Sequence, residues 1–172
     1  MKNNIILVGM PGAGKSTVGV VLAKRLGYSF VDSDLVIQER YGKKLHQLIT
    51  EHGVEGFWGI ENQVNASLDV ENCVIATGGS AIYGQEAMEH FREIGTVIYL
   101  RLSLREIAKR LGDLKARGVT LKDGQSLKDL YKERVPLYEK YAHMTIRCDR
   151  KMIRNVVGEL NAKLKMEGLV EE

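Results

Sequence analysis

Cysteine, proline, tryptophan and histidine are all scarce in this 172-residue chain, which has two cysteines, two prolines, one tryptophan and four histidines. Cys73 and Cys148 form no Cys-x-x-Cys pair, so neither a disulfide framework nor a zinc site is expected. Two isolated thiols are typical of a reducing compartment. We therefore expect the protein to be cytoplasmic.

Long apolar runs are missing as well. The chain turns apolar after Met1-Lys2, but this run breaks after about six residues, which is too short for the core of a signal peptide. No stretch approaches the roughly 20 apolar residues of a membrane span. The formal net charge is only +3 and the basic residues are dispersed, so we expect neither a membrane partner nor a nucleic-acid partner.

The length and composition are those of one globular domain that spans residues 1–172. Nothing in the sequence indicates a large adhesive surface, and we expect a monomer. Short apolar runs alternate with helical patterns, which predicts an α/β fold with a five-stranded parallel sheet flanked by helices on both faces. The predicted strands are Ile5–Val8, Ser29–Asp32, Cys73–Ala76, Thr96–Leu100 and, more weakly marked, Met144–Arg147.

Residues 9–16 read Gly-Met-Pro-Gly-Ala-Gly-Lys-Ser and match the phosphate-binding P-loop pattern. A predicted strand precedes the motif and a predicted helix, Thr17–Leu26, follows it, which favours a P-loop over a glycine-rich turn with a chance lysine. The loop amides and the helix N-terminus attract anions. We expect Lys15 to reach the outer phosphates of ATP and Ser16 to ligate Mg²⁺. The candidate nucleotide-binding residues of this segment are Gly12, Ala13, Gly14, Lys15, Ser16 and Thr17.

A second cluster, Asp32-Ser33-Asp34, stands at the end of the second predicted strand. Carboxylates two residues apart on an extended segment project to the same side. One of them can hold Mg²⁺ through water, and the other can accept a proton from a substrate hydroxyl. Asp34 is equally suited to cap a helix predicted over Leu35–Tyr41, and the two roles can coexist.

The segment Leu111–Gln125 interrupts the alternation of strands and helices. It is polar, contains three glycines and lies between helices predicted over Arg105–Arg110 and Leu127–Arg134. Loops of this length in compact domains are commonly functional or disordered. We interpret residues 111–125 as a lid that closes over the phosphates and excludes water; a plain surface loop is the alternative.

Further motifs follow the P-loop and Asp32-Ser33-Asp34 along the chain. They are Gly42-Lys43, Phe57-x-x-x-Glu61, Ala76-Thr77-Gly78-Gly79 and Arg134-x-Pro136-x-Tyr138. In order and spacing, these motifs resemble those of shikimate kinase, a family of nucleoside-monophosphate-kinase-like P-loop proteins. The resemblance extends from Ile5 to about Leu164. The resemblance implies transfer of the γ-phosphoryl group of ATP to a hydroxyl of shikimate, a step of aromatic amino-acid biosynthesis that needs Mg²⁺.

The resemblance also implies roles at the nucleotide. Lys15 and Ser16 would bind ATP and Mg²⁺, and Asp32 would help to hold the water shell of the metal. Arg110 would border the adenine. Arg117 would be the lid cation that stabilises charge on the transferred group.

At the acceptor, the resemblance implies that Asp34 binds ring hydroxyls and serves as the base. Gly78 and Gly79 would let the backbone approach the acceptor. Arg134 would pair with the acceptor carboxylate, since a guanidinium fork matches its two oxygens. An acceptor-binding segment over residues 32–62 is implied as well.

Three positions depart from the family pattern. Trp58 stands where the family has an arginine that clamps the carboxylate, Ser80 replaces the third glycine of a Gly-Gly-Gly turn, and Arg117-Gly118-Val119 replaces Arg-Pro-Leu. Loss of one charged partner of a buried carboxylate costs about 2–5 kcal/mol. Arg134 alone can suffice, or Lys43 or Lys44 can compensate.

Trp58 and Ser80 are therefore candidate acceptor-binding residues. The indole can stack on a ring or donate its N–H, although Trp58 is equally interpreted as an ordinary core or surface aromatic. Three functions stay open: a shikimate kinase, a kinase of another small hydroxylated acid such as a sugar acid, and a nucleotide-binding paralogue without acceptor chemistry. The Asp-Ser-Asp and Arg-Val-Pro elements favour the first.

Overall fold

The structure, a computed structural model, describes residues 3–112, 119 and 121–171. In these ranges a single five-stranded sheet is accompanied by seven α-helices and a short 3-10 helix, Ala81–Tyr83. The strands are β1 (Asn4–Val8), β2 (Ser29–Asp32), β3 (Cys73–Ala76), β4 (Gly95–Arg101) and β5 (Met144–Arg147). The helices are α1 (Lys15–Leu26), α2 (Ser33–Tyr41), α3 (Leu45–Ala66), α4 (Gln85–Ile94), α5 (Leu104–Leu111), α6 (Leu127–Tyr141) and α7 (Ile153–Met166).

The five strands are all parallel and lie in the order β2-β3-β1-β4-β5. The α/β class and the five-stranded parallel sheet predicted from the sequence are confirmed. Every residue of β1 and β3 is buried, which requires cover on both faces and explains their continuous apolar runs. Because the strands are parallel, all their carboxyl ends meet at one edge of the sheet.

The start of α2 corrects one interpretation of the acidic cluster. Asp32 is the N-cap of this helix, since its Oδ1 accepts hydrogen bonds from the backbone N–H groups of Asp34 at 3.0 Å and Leu35 at 3.4 Å. The alternative that Asp34 caps the helix is therefore wrong. Asp34 lies in the first turn of α2 rather than on an extended segment. The direction of its side chain therefore follows from helix geometry and not from the strand alternation expected for Asp32 and Asp34.

Two other helices depart from a regular course. Gly53 interrupts α3 with φ 72° and ψ 175°; the half that follows carries Phe57 and packs, with Ile37 and Leu48, in a small core separate from that of the sheet. Helix α6 continues beyond its predicted end at Arg134 and passes through Pro136. Tyr138, on the added part, is fully buried in the main core, so tertiary packing overrides the proline signal.

Among the helices of the described ranges, none combines the length and the apolar character needed to cross a lipid bilayer.

Candidate active site

A cavity of about 320 Å³ opens at the carboxyl edge of the sheet. The P-loop, α2, α3, α6 and the turn after β3 contribute its walls. The predicted site residues that line it are Gly12, Gly14, Lys15, Ser16, Thr17, Asp34, Gly78, Gly79, Ser80 and Arg134. The fold thus brings together, in one space, the phosphate loop, the acidic cluster and the predicted carboxylate-binding arginine.

The P-loop has the backbone geometry of an anion site. Gly12 and Gly14 take positive φ values of 79° and 90°, and a side chain at Gly9 would meet the carbonyl oxygen of Leu100 at 2.7 Å. Gly14 is the N-cap of α1 and offers no side chain to the first-turn amides. These amides are therefore left for an anion, and the loop fits the phosphates of a nucleotide.

Lys15 is held in place by its own loop. Its ammonium donates hydrogen bonds to the carbonyl oxygens of Gly9 at 2.7 Å and Met10 at 2.9 Å, and the residue is 8% exposed. Burial lowers the pKa of Lys15 to about 8, while the Asp34 carboxylate opposes this shift. Lys15 therefore stays mainly protonated at neutral pH, and its positive charge is positioned before any phosphate arrives.

Ser16, the last residue of the P-loop, and Asp32 are the two residues predicted to hold Mg²⁺, and their side chains are in contact. The Ser16 hydroxyl donates to Asp32 Oδ2 at 3.0 Å. Hydroxyl and carboxylate oxygens suit Mg²⁺, which in such sites keeps several waters and binds few protein groups. Among the described residues, no group of three histidine, cysteine or acidic side chains is placed to hold a metal ion.

Asp34 has the ionisation of a base. Burial, and to a smaller extent the Asp32 carboxylate, raises the pKa of the Asp34 carboxyl to about 6, although Lys15 opposes the shift. At neutral pH Asp34 is thus mainly ionised, with a pKa close to the operating pH, as general-base catalysis favours.

Gly78 and Gly79 are required because side chains crowd them. A Cβ on Gly78 would lie 2.6 Å from Asp34 Oδ1 and 2.7 Å from Glu61 Oε2. A Cβ on Gly79 would lie 2.7 Å from the ring of Pro11 and 3.0 Å from Arg134 Nη1. The two glycines therefore let two carboxyl groups and a guanidinium converge on the turn after β3.

Glu61 is an ionisable residue of the cavity lining that has no predicted role. It lines the cavity, is 1% exposed, and its Oε1 accepts a hydrogen bond from the Ser80 hydroxyl at 2.6 Å. Burial, and to a smaller extent the Asp34 carboxylate, raises the pKa of Glu61 to about 8, although Ser80, Arg134 and Lys15 oppose the shift. An available sequence signal was a carboxylate four residues after Phe57, on the apolar face of a helix.

Arg134 enters the cavity from α6 and is 1% exposed. Its Nε donates to the Tyr83 hydroxyl at 3.4 Å, and its guanidinium carbon lies 5.4 Å from the centre of the Tyr83 ring. Burial in a lined cavity suits a guanidinium that is to pair with a carboxylate.

Trp58 lies outside the lining of this cavity. Its ring stacks on Tyr83 with 3.9 Å between the centroids, and Lys122 Nζ lies 5.6 Å from the indole. Trp58 borders an adjacent depression together with Tyr83 and Glu89. Direct contact of Trp58 with an acceptor stays a prediction. Its observed contact is with Tyr83, the residue to which Arg134 donates a hydrogen bond.

The two lysines considered as substitutes for the family arginine lie elsewhere. Lys43 pairs with Glu51 at 2.7 Å on the surface, and Lys44 is the N-cap residue of α3. Neither belongs to the cavity lining.

Two predicted nucleotide-binding residues, Ala13 of the P-loop and Arg110 of α5, lie outside the cavity lining. Ala13 is 2% exposed, and Arg110 donates through Nη1 to the carbonyl oxygen of Gly12 at 3.1 Å. Arg117 and most of the predicted lid, residues 113–118 and 120, lie outside the described residues. Val119, which is described, lines the cavity.

The parallel sheet, the P-loop at the end of its central strand and the adjoining cavity define a P-loop kinase. Residues 11–165 match the family described as shikimate kinase. A shikimate kinase of Burkholderia thailandensis is 38% identical over 97% of this chain and 92% of its own length. The chain belongs to the shikimate kinase family.

Solved structures of shikimate kinases are similar to this chain over nearly its whole length. The shikimate kinase of Acinetobacter baumannii, determined in complex with shikimate, has a TM-score of 0.86 and 34% identity and covers 95% of this chain and 93% of its own. That of Aquifex aeolicus has a TM-score of 0.84 and 30% identity, over 96% and 98% of the two chains.

Proposed function

We propose that this protein transfers the γ-phosphoryl group of ATP to a hydroxyl of shikimate, with Mg²⁺ as the metal. The observation that carries the proposal is the convergence of Lys15, Asp34 and Arg134 on one cavity. Lys15 is suited to bind a phosphate, Asp34 to accept a hydroxyl proton, and Arg134 to pair with a carboxylate. Family membership supports the same reaction.

The nucleotide would be held by the P-loop amides and Lys15, and the metal by Ser16 with Asp32 acting through water. MgATP supplies the electrophilic phosphoryl group. Phosphoryl transfer depends chiefly on positioning and on neutralising charge, and Lys15 meets both needs because its ammonium is already fixed by Gly9 and Met10.

Asp34 would act on the acceptor. As the acceptor oxygen bonds to the γ-phosphorus and the bond to the β-phosphate oxygen breaks, the hydroxyl proton passes to the ionised Asp34 carboxylate. Arg134 would pair with the acceptor carboxylate through two parallel N–H···O bonds. Arg117, in the lid, is proposed as the cation that stabilises charge on the moving group.

The remaining expectations rest on less direct observations. Cys73 and Cys148 are both buried as free thiols, which supports a reducing compartment such as the cytoplasm. A monomeric state and a single-domain organisation stay predictions from composition and length.

A kinase of another hydroxylated acid is the second candidate. The observation that favours it is the position of Trp58, which stacks on Tyr83 rather than lining the cavity. Position 58 of α3 therefore supplies no positive charge to the cavity, where the family has an arginine. An acceptor that needs fewer cationic contacts for its carboxylate would fit this cavity better.

The decisive experiment is ADP release from MgATP with and without millimolar shikimate, run beside gluconate and other hydroxy acids. Strong stimulation by shikimate, with a micromolar KM, is expected. Stimulation by a different acid alone would favour the second candidate. ATP binding without stimulation by any acid would indicate the non-catalytic paralogue and contradict the proposal.

A further inference from the structure

We infer that Tyr83 is a positioning residue for Arg134, and that Glu133 and Trp58 hold Tyr83 in place from two sides. This inference rests on the proposed function, in which Arg134 pairs with the acceptor carboxylate, and deepens it. Tyr83, Glu133 and Trp58 all lie outside the lining of the cavity at the carboxyl edge of the sheet. They act on Arg134 and need no contact with acceptor or nucleotide.

Tyr83 contacts the guanidinium of Arg134 through both its hydroxyl and its ring. The hydroxyl accepts a hydrogen bond from Arg134 Nε at 3.4 Å, and the guanidinium carbon lies 5.4 Å from the centre of the ring. At the far end, Arg134 Nη1 lies 3.0 Å from the point that a Cβ on Gly79 would occupy, so this end is directed at the turn after β3. A guanidinium meets both oxygens of a carboxylate only when its plane is correctly oriented. Tyr83 sets that orientation from the near end.

Glu133, the residue before Arg134 on α6, fixes the hydroxyl of Tyr83. This hydroxyl donates to Glu133 Oε1 at 2.6 Å. Burial and the hydrogen bond to Glu133 raise the pKa of Tyr83, so the hydroxyl keeps the proton that it donates. Because a phenol has one proton to give, its bond to Glu133 leaves its oxygen to accept from Arg134 Nε. The bond to Glu133 thus gives the hydroxyl the direction that Arg134 needs.

Trp58 supports the ring of Tyr83 from the side of α3. The two rings stack with 3.9 Å between their centroids and 17° between their planes. Lys122 Nζ lies 5.6 Å from the centre of the indole. Where the family pattern has a second arginine for the carboxylate, this chain therefore has a support for the residue that orients its remaining arginine.

The two supports are joined at the described end of the predicted lid. Gln125 donates through Nε2 to Glu133 Oε2 at 2.9 Å, and the Lys122 N–H donates to Gln125 Oε1 at 3.2 Å. One short segment therefore contacts Trp58 through Lys122 and Glu133 through Gln125. A residue that positions another must itself be held by packing and by hydrogen bonds, and Tyr83 meets both conditions.

The first test removes only the hydroxyl of Tyr83. In Tyr83→Phe we expect the KM for shikimate to rise about three- to tenfold while the KM for ATP changes less than about twofold, because one positioning hydrogen bond is lost. Tyr131→Phe is the matched control, since the Tyr131 hydroxyl donates to the carbonyl oxygen of Leu102 at 2.8 Å and has no contact with Arg134. An unchanged KM for shikimate in Tyr83→Phe, or an equal rise in both KM values, overturns the inference.

The second test separates the position of the Glu133 carboxylate from its charge. Shikimate is an anion, so if Glu133 acted through charge alone, both Glu133→Ala and Glu133→Gln would lower the KM for shikimate. If Glu133 holds Tyr83, the alanine variant should raise this KM about threefold or more, whereas the glutamine variant, which keeps an oxygen for the hydroxyl, should stay within about twofold. A fall in both variants, or an equal rise in both, overturns the inference.

A double-substituted variant tests whether the two residues act through one bond. Tyr83→Phe and Glu133→Ala remove the same hydrogen bond, so the variant with both changes should have nearly the KM for shikimate of Tyr83→Phe alone. Effects that multiply would mean that Glu133 acts independently of Tyr83, which contradicts the inference.

The third test needs no activity, because Trp58 is the only tryptophan of the chain and reports on the stack by its fluorescence. Without any ligand, acrylamide should quench Trp58 more strongly in Glu133→Ala than in the unsubstituted protein, since a loosened Tyr83 covers the indole less well. Tyr131→Phe should leave the quenching unchanged. Equal quenching in Glu133→Ala and the unsubstituted protein would overturn the role of Glu133 in holding Tyr83.

The two levels of the claim fail differently. If the unsubstituted protein neither binds nor phosphorylates shikimate, the proposed function is overturned and the inference falls with it. If the unsubstituted protein is active and Tyr83→Phe keeps the same KM for shikimate, the inference alone is overturned. A thermal unfolding curve of each variant excludes loss of the fold as the cause.

Discussion

The hydroxyl of Ser16 donates to Asp32 Oδ2 at 3.0 Å, which joins the first turn of α1 to the end of β2. The other oxygen of the same carboxylate, Oδ1, caps α2 through the N–H groups of Asp34 and Leu35. Asp32 thus has one oxygen for the proposed metal site and one for the fold, and substitutions can separate the two roles.

We expect Asp32→Asn to keep the cap and Asp32→Ala to lose it, since asparagine caps helices as well as aspartate does. The alanine variant should lose about 1 kcal/mol of stability by urea unfolding, and the asparagine variant much less. Both should require more Mg²⁺ for half-maximal turnover, because the carboxylate charge is gone in each. If Asp32→Asn keeps the Mg²⁺ requirement of the unsubstituted protein, Asp32 has only a capping role.

Asp34→Asn should lower kcat by about 10²- to 10⁴-fold, the usual contribution of a general base. In the unsubstituted protein kcat/KM should fall as the pH drops through about 6, because Asp34 gains a proton there and can no longer accept one. The residual activity of the variant should lack this step. Glu93→Gln, which makes the equivalent change at an exposed carboxylate of α4, is the matched control. An undiminished kcat in Asp34→Asn would remove Asp34 from the mechanism.

Glu61→Gln should change the pH dependence of stability. Glu61 has a pKa of about 8 in the fold against an ordinary value of 4.5, so between these values the folded state holds more protons than the unfolded state. The free energy of unfolding therefore falls as the pH rises through this window. Glutamine carries no such proton, and the variant should gain on the order of 2 kcal/mol relative to the unsubstituted protein between pH 5 and pH 8.

Urea unfolding at both pH values measures this difference. A constant stability difference between pH 5 and pH 8 would mean that Glu61 is ionised in the folded protein throughout.

Trp58→Phe should leave the KM for shikimate within about threefold, because phenylalanine keeps the stack on Tyr83. Trp58→Ala should lose about 2 kcal/mol of stability, less than truncation of a core aromatic, because Trp58 is only half-buried. It should also raise that KM through Tyr83 and Arg134. Steady-state kinetics with chemical unfolding tests both variants. A rise of more than about tenfold in Trp58→Phe, with stability unchanged, would instead indicate an indole N–H bond to the acceptor.

The sheet and the phosphate-binding loop could both be predicted from the sequence. Strands buried on both faces produce continuous apolar runs, and the P-loop is local, since its glycines, lysine and serine fall within eight residues. Element ends were less well predicted. The sequence pattern predicts Thr17 and Leu35 as the first helical residues, whereas α1 begins at Lys15 and α2 at Ser33, because Gly14 and Asp32 are the N-caps.

Contacts between distant segments were beyond the sequence. The hydrogen bond between Ser80 and Glu61 joins residues 19 positions apart, and the stack of Trp58 on Tyr83 joins an α3 side chain to the turn after β3. Neither follows from spacing, because each depends on how α3 packs beside the sheet. For the same reason the motif that contained Glu61 gave that residue no role.

The strand order has a consequence for synthesis. β1 carries the P-loop and leaves the ribosome first, yet it pairs with β3 and β4, whose residues begin at Cys73 and Gly95. The nascent chain therefore holds the apolar strand β1 without any partner until β3 has been translated, and without its second partner until β4 follows, which exposes it to chaperones and to aggregation. The nucleotide loop can take its binding form only after that point, so the protein acquires its ligand late in its own biogenesis.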